Sequence, residues 1–395
     1  MTFCLSENSP GPITSGAVAA GMPIAALPTP MLLIDKDKMA ANIARMRAQL
    51  AGTGVIFRPH VKTAKAPDAI RALFDGATGP ITVSTLKEAR LFAEAGFDDI
   101  VYAVGIVPAR IPDVLALADR GVAMRIILDE PGVAAEVAAL VPAGQANIGI
   151  LAEVDCDGHR SGVDPDGDAL LRIGETLAAR GLFAGVLTHA GGSYQCAGAN
   201  AIAGHAELER AGLARAGERL RAAGLPCPVL SMGSTPTALF ARSYAGMTEV
   251  RAGVYMFQDL VMAGIGVCAP GDIALSVLCS VIGYRPAAGQ IVLDAGWMAL
   301  SRDRGTAAQA VDQGYGLVAD ENGAIIDGMI VMGANQEHGL AGYRDGAPVD
   351  PARFPIGSRL RVLPNHACAT GAQHDRYLLV DGGHVDAVWP RFSGW

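Results

Sequence analysis

The stretch Val55-Ile56-Phe57-Arg58-Pro59-His60-Val61-Lys62-Thr63 decides how the rest of the chain is read. Its first half, Val55–Pro59, is a short β-branched and aromatic run of the kind that fits a pleated strand. A segment rich in Ala, Leu, Arg and Glu with helical period follows it. The same unit then repeats: strand-like runs at Ile81–Thr85, Asp99–Val104, Met124–Leu128, Ile148–Val154, Ala184–Thr188, Pro228–Met232 and Glu249–Val254 alternate with helical segments. Eight such units between Gly54 and Tyr255 predict a (β/α)8 barrel. A doubly wound open sheet is the runner-up for the same alternation.

After Cys268 the texture changes. Short apolar runs (Ala274–Ile282, Ile291–Leu293, Ile325–Met332, Arg359–Leu363, Tyr377–Val380) are spaced by Gly, Pro and Asp with little helical period, which predicts a β-rich domain. The early run Met31–Asp35 precedes the barrel and is expected to join that β domain. The predicted organisation is therefore an N-terminal segment over 1–35 contributing to the β domain, a barrel over 36–265 and the β domain over 266–395. No internal repeat or low-complexity linker interrupts it.

Bulk properties agree with two domains and with packed α/β structure. A chain of 395 residues, 51% apolar with 49 glycines and 5% aromatics, suits helices lying close to a sheet. A net charge of −8 speaks against nucleic-acid or anionic-membrane partners. The seven cysteines are odd in number and scattered, without a C-x-x-C pair, so a reducing cytoplasm is expected. The stretch to about Pro28 lacks a basic n-region and is broken by Pro10, Pro12, Pro23 and Pro28, against a signal peptide. No run of roughly 18 apolar residues suggests a membrane span.

In a barrel the C-terminal strand ends build the active site. Lys62 lies just after the first run, with His60 two residues before it. Arg160, in Asp157-Gly158-His159-Arg160-Ser161-Gly162, lies after the fifth. His189, with Ala190-Gly191-Gly192-Ser193-Tyr194, follows the sixth; Gly233-Ser234-Thr235 follows the seventh, and Gly253-Val254-Tyr255 lies at the eighth. Loops after strands seven and eight form the usual phosphate cradle of this fold, where small residues expose backbone N–H groups to an anion. A lysine across the barrel from such a cradle suits a phosphorylated aldehyde held as an imine, which is pyridoxal phosphate (PLP). A solvated strand-end lysine beside a plain N-cap loop would give the same residues. Arg160 would hydrogen-bond the phenolate oxygen of such a ring or form a surface ion pair. His189 would pack on the cofactor face or be a satisfied core histidine, and Tyr194 would meet the pyridine edge or be core.

In the β domain, Pro364-Asn365-His366-Ala367-Cys368 places an imidazole and a thiol at i and i+2. On an extended strand both side chains leave one face, so one ion can be chelated. A nucleophilic Cys–His pair is the alternative, without an oxyanion-hole signature to accompany it. Gln336-Glu337-His338 is a further polar cluster in an apolar setting.

Taken in order, these segments resemble the alanine-racemase-like (fold type III) PLP enzymes, in the D-threonine aldolase/D-serine dehydratase group. The resemblance spans nearly the whole chain and rests on Arg58–Thr63, Val83–Ala89, Asp157–Val163, Gly233–Thr237, Asp294–Ala299, Ser301–Thr306, Asn335–Gly339 and Pro364–Gln373. It implies that Lys62 carries the Schiff base, that His366 and Cys368 hold a divalent ion beside a substrate β-hydroxyl, and that the enzyme is a homodimer. A thiolate ligand favours zinc over the harder Mn²⁺ or Mg²⁺. Two positions depart from the group's pattern: Lys62-Thr63-Ala64-Lys65 stands for Lys-Thr-His-Lys, and Gly192-Ser193-Tyr194 for His-Ser-Tyr.

The implied reaction is metal-assisted β-elimination from a D-3-hydroxy amino acid, with 3-hydroxy-D-aspartate favoured and a keto acid and ammonia as products. Freed Lys62 would take the α-proton, and Arg302 and Arg304 are candidates for a second substrate carboxylate. Retro-aldol cleavage to glycine and an aldehyde is the nearest rival, followed by D-serine dehydration and metal-free racemisation. A PLP-binding protein without turnover is the alternative from another class.

Overall fold

The computed structural model describes residues 18–395. Cys4, Pro10, Pro12 and the rest of the predicted N-terminal segment before Val18 lie outside the described residues. After β1 (Met31–Asp35), eight short strands follow one another: β2 (Ile56–Phe57), β3 (Ile81–Val83), β4 (Asp99–Gly105), β5 (Ala123–Leu128), β6 (Ile148–Val154), β7 (Phe183–Thr188), β8 (Val229–Met232) and β9 (Glu249–Val250). Strands β2 to β9 are parallel, in the order β2-β9-β8-β7-β6-β5-β4-β3. The two ends meet through a parallel bridge between His60 and Thr82, with Val61 N–H donating to Thr82 O at 2.8 Å and Thr82 N–H to Pro59 O at 2.9 Å. That closure sets aside the open doubly wound sheet.

Each strand alternates its faces with a period of two. Val101, Ile127, Leu151 and Leu187 form an apolar layer inside the ring. Ile100, Ile126, Ile150 and Val186, one residue earlier in each strand, pack outward into the main core with the helices. The rest of the lumen is polar. Arg58 is fully buried; its Nε donates to Glu249 at 2.6 Å and its terminal nitrogens to Asp99 at 2.9 and 3.1 Å. Ser231 Oγ donates to Glu249 at 2.7 Å, and Arg251 Nε donates to Ser231 Oγ at 2.9 Å. Buried charge survives here because Arg58 is paired with both Glu249 and Asp99, while Arg251 is held by neutral oxygens, the Ser231 hydroxyl and the carbonyls of Thr188 and Ser231.

The second sheet is antiparallel apart from one pair. Its strands are β10 (Leu275–Arg285), β11 (Gln290–Leu293), β12 (Leu317–Asp320), β13 (Ile325–Ala334), β14 (Gly339–Tyr343), β15 (Arg359–Leu363), β16 (Arg376–Asp381) and β17 (His384–Pro390). The order is β11-β14-β13-β12-β15-β10-β1-β16-β17, and β11 also returns to β10. A register break between Val281 and Gly283 lets the long β10 serve β15 with its first half and β11 with its second. Met31–Asp35 lies between β10 and β16, parallel to the latter, and leads directly into the helix Lys36–Leu50 beneath an Asp35 cap. Strands β12, β14 and β17 are not marked in the sequence: they are short, glycine-rich or interrupted by Asp, and only pairing reveals them.

Candidate active site

The C-terminal ends of the barrel strands open on a cavity of about 890 Å³ whose far wall comes from the loop 303–310 and the corner at His366 and Cys368. Of the residues singled out in the sequence, His60, Lys62, Arg160, His189, Tyr194, Gly233, Ser234, Thr235, Gly253, Val254, His366 and Cys368 all line it. Tyr255 does not: its ring packs edge-on against Phe57 at 5.4 Å, and only its amide reaches the site, donating to Thr235 Oγ1 at 3.2 Å.

The cradle is built by two turns. Ser234 caps the short helix Thr235–Phe240, exchanging hydrogen bonds with Thr237. Gly233 has φ +131°, and a Cβ there would overlap the backbone of Arg251, so only glycine fits. At Gly253 a Cβ would lie 3.1 Å from His60 O. Within the described residues the amides of Thr235, Gly253 and Val254 have no hydrogen-bond acceptor. Three free amides on small residues, opposite Lys62, fit the phosphate end of PLP.

The imidazoles beside Lys62 are held neutral. Burial, then the charges of Lys62 and Arg251, push His60 well below its ordinary range. The same causes with Arg160 bring His189 down to about 3. His189 Nδ1 donates to Gly233 O at 3.3 Å, which fixes its tautomer, and its ring lies 6.2 Å from that of Tyr194. A neutral, flat ring pinned in this way suits contact with a cofactor face more than proton transfer near neutral pH. Arg160 has one loose partner, Glu153, at 3.5 Å and a half-exposed side chain, so its guanidinium remains available to a ligand.

His366 and Cys368 face the cavity together, though from a corner and not from a strand as their spacing suggests. His366 is the extended residue that precedes the helix Ala367–Gly371, and Asp259 holds the corner by accepting from Ala367 N–H at 2.9 Å. His366 Nδ1 donates to Asp303 at 2.6 Å, and Thr63 Oγ1 lies 3.1 Å from Cys368 Sγ. Burial opposes the charge of His366, but Asp303 and Cys368 outweigh it and raise the imidazole to about 11. Burial likewise opposes the thiolate, yet His366, Lys62 and Thr63 bring Cys368 down. The shifts favour the thiolate at Cys368 and leave an imidazole and a sulfur facing one cavity, a nitrogen–sulfur donor pair that fits a soft divalent ion. Among the described residues no group of three or more His, Cys, Asp or Glu side chains could hold a metal.

The cavity also contains residues the sequence did not single out. Arg251 is buried and joins the lumen network to the cavity; its inward position follows from strand alternation and could have been read that way. Asp303, Asp259 and Gln309 come from loops whose meeting depends on the second sheet. Arg302 and Arg304 are elsewhere: Arg302 lies over Trp297 at 4.6 Å, and Arg304 pairs with Asp312 at 2.5 Å. Gln336-Glu337-His338 forms the turn between β13 and β14, away from the cavity. Ala64 is buried, and its carbonyl accepts from Tyr377 Oη at 2.8 Å. Gly192 stands against the ring of His205.

Two family models match: the alanine racemase N-terminal domain over residues 34–260 and the serine dehydratase-type domain over residues 274–380. The chain is 52% identical over 374 residues to D-threo-3-hydroxyaspartate dehydratase of Delftia sp. (strain HT23), covering 93% of this chain and 98% of that one. It is 30% identical to D-threonine aldolase of Arthrobacter sp., covering 93% of each. The solved dehydratase from Delftia sp. HT23 superposes with a TM-score of 0.92 at 50% identity, over 95% of this chain and 100% of that one. Two further solved forms of D-threo-3-hydroxyaspartate dehydratase, also with TM-scores of 0.92, are a cysteine-to-alanine mutant in the metal-free form and a histidine-to-alanine mutant. The two replaced residues stand two positions apart in that enzyme.

Proposed function

The chain belongs to the alanine racemase N-terminal-domain family, and on that footing we propose that it is a PLP- and metal-dependent lyase that converts 3-hydroxy-D-aspartate to oxaloacetate and ammonia. The observation that carries this reading is one cavity holding Lys62, three free amides and the His366/Cys368 pair. The 52% identical relative named for this dehydratase supports the substrate. Residues 36–265 bind PLP in this reading and 266–395 carry the metal, with β1 of the 1–35 segment completing the second sheet.

PLP, when bound, supplies an electron sink for the negative charge left at Cα. Thr235, Gly253 and Val254 would hold its phosphate through their amides, with Ser234 shaping the turn and the Tyr255 amide bracing it. His60 and His189 would pack as neutral rings against it, Arg160 would donate to its phenolate oxygen, and Tyr194 would line the same pocket. Lys62 is the residue that would hold PLP covalently, and its free Nζ would take the Cα proton. A divalent ion on His366 and Cys368, zinc by the softness of the thiolate, supplies a Lewis acid for the β-hydroxyl. Asp303 holds His366 Nδ1–H and so aims Nε2, while Thr63 steadies the sulfur. Loss of water across Cα–Cβ, then tautomerisation and hydrolysis, leaves the keto acid and ammonia. The reading includes a homodimer and a cytoplasmic enzyme; the six free cysteines among the described residues support the latter.

A substrate panel of D-serine, the 3-hydroxyaspartate isomers and D-threonine, with and without EDTA, tests it. The expected products are ammonia and oxaloacetate from a 3-hydroxy-D-aspartate, abolished by EDTA. Glycine as the sole amine product overturns the elimination in favour of the retro-aldol rival, and chelator-insensitive turnover overturns the metal's role.

A further inference from the structure

Behind the cofactor wall lies a cluster that the proposed reaction does not use. Asp157 Oδ2 accepts from Gly192 N–H at 2.8 Å and from His205 Nε2–H at 3.1 Å. One turn further along the helix Ala199–Ala222, the fully buried Glu209 accepts from Ala190 N–H at 3.2 Å and from Gly233 N–H at 2.9 Å. Residues four apart share a helix face, so a single helix grips the Ala190–Tyr194 segment at two points and the cradle glycine at a third. The segment is tied to the cradle again by Ser193 Oγ and Ser234 Oγ, 2.9 Å apart.

The two glycines of that segment are occupied from outside. A Cβ on Gly192 would lie 2.9 Å from His205 Cε1, and a Cβ on Gly191 would overlap the ring of His159. Both imidazoles therefore stand where side chains of the segment would otherwise be. Neither His205, Asp157 nor Glu209 lines the cavity, so each can act only through the segment in front of it.

We infer that His205, through Asp157, is a positioning residue that fixes Ser193 and Tyr194 against the cofactor. This rests on the proposed PLP reading. Backbone N–H groups do not choose among the orientations of a loop; a carboxylate held by an imidazole on a long helix does, because charge-assisted hydrogen bonds fix direction as well as distance. Tyr194 and Ser193 thus inherit the rigidity of a 24-residue helix instead of the freedom of a loop.

The test is PLP titration of the cofactor-free protein, read from the visible band of the lysine-bound cofactor, beside steady-state kinetics and melting of the cofactor-free protein. His205→Ala is expected to raise the PLP Kd about tenfold, the loss of one hydrogen bond to a charged group, and to lower kcat with KM little changed. Cofactor-free melting is expected to fall modestly, because the His205–Asp157 bond is made without the cofactor too. His205→Gln, which keeps a donor, is expected to restore the Kd to within about threefold. An unchanged Kd in His205→Ala overturns the inference, as does a glutamine variant no better than alanine. Should His205→Ala fail to fold, Gly192→Ala pushes on the same ring and carries the same expectation; an unaltered Kd there overturns it. If the unsubstituted protein takes up no PLP, the cofactor reading itself falls and the inference with it. Normal loading of the unsubstituted protein and of every variant defeats the inference alone.

Discussion

Replacing Asp303 by Asn tests how the metal pair is organised. The carboxylate accepts from His366 Nδ1 at 2.6 Å, the shortest polar contact of either donor residue. Asparagine is close to isosteric but uncharged, and its amide can present a donor to Nδ1 as readily as an acceptor. The imidazole then loses its fixed tautomer, and Nε2 is no longer always the free lone pair. Removing partners of this kind typically costs 10- to 100-fold in metal affinity, about 1.4–2.8 kcal/mol. Asp303 and His366 are 36% and 41% exposed at their side chains, so water takes up part of the lost bond and the lower end applies, about tenfold. Zinc competition against a chromophoric chelator measures it directly, without turnover. PLP loading should be unchanged, because Asp303 reaches neither Lys62 nor the cradle in any hydrogen bond. Zinc affinity within twofold of the unsubstituted protein would refute the reasoning and leave Asp303 a bystander.

Lys62→Ala should abolish the visible lysine-bound band and lower elimination by roughly 10²–10⁴-fold, measured as ammonia release. Gly233→Ala forces an L-residue to φ +131° and onto the Arg251 backbone, so a stability loss of about 1–3 kcal/mol in urea melts is expected, with weaker PLP retention. His189, held near 3, binds a proton in the unfolded chain below about 6.5 but not in the fold. Its stabilising contribution is thus complete above pH 6.5 and falls away toward pH 3, and His189→Phe should flatten that part of the cofactor-free stability profile. An unchanged slope in the variant would count against the buried neutral ring.

The barrel was legible because its signal is repetitive: each β-branched run, from Val55 to Val254, is bracketed by helical period, and eight units leave few architectures. The site was legible where it follows strand ends, as at Lys62, Arg160, His189 and Gly233. It was less so where two parts of the chain meet. His366 and Cys368 could be paired by spacing, but the corner that presents them depends on Asp259, over a hundred residues earlier, accepting from Ala367. Asp303 had only its place in a motif, and nothing local separates it from Arg302 and Arg304, which turn away to Trp297 and Asp312. The pairing of β14 was hidden because Gly339-Leu340-Ala341-Gly342-Tyr343 has little side-chain pattern, and its ladder partners lie on β11 and β13.

The place of β1 has a bearing on how the protein is made. It leaves the ribosome before any part of the barrel, yet its ladder partners β10 and β16 are synthesised only after the barrel is finished. Until then Met31–Asp35 is an apolar strand with both edges unsatisfied, tethered to a barrel helix that can already fold. Pairings so distant in sequence form slowly, and exposed edges recruit other chains. Nascent chains stalled before β10 should therefore bind holdase chaperones through this segment. A C-terminal fragment beginning at β10 should fold only when a Met31–Asp35 peptide is supplied to fill the gap between β10 and β16.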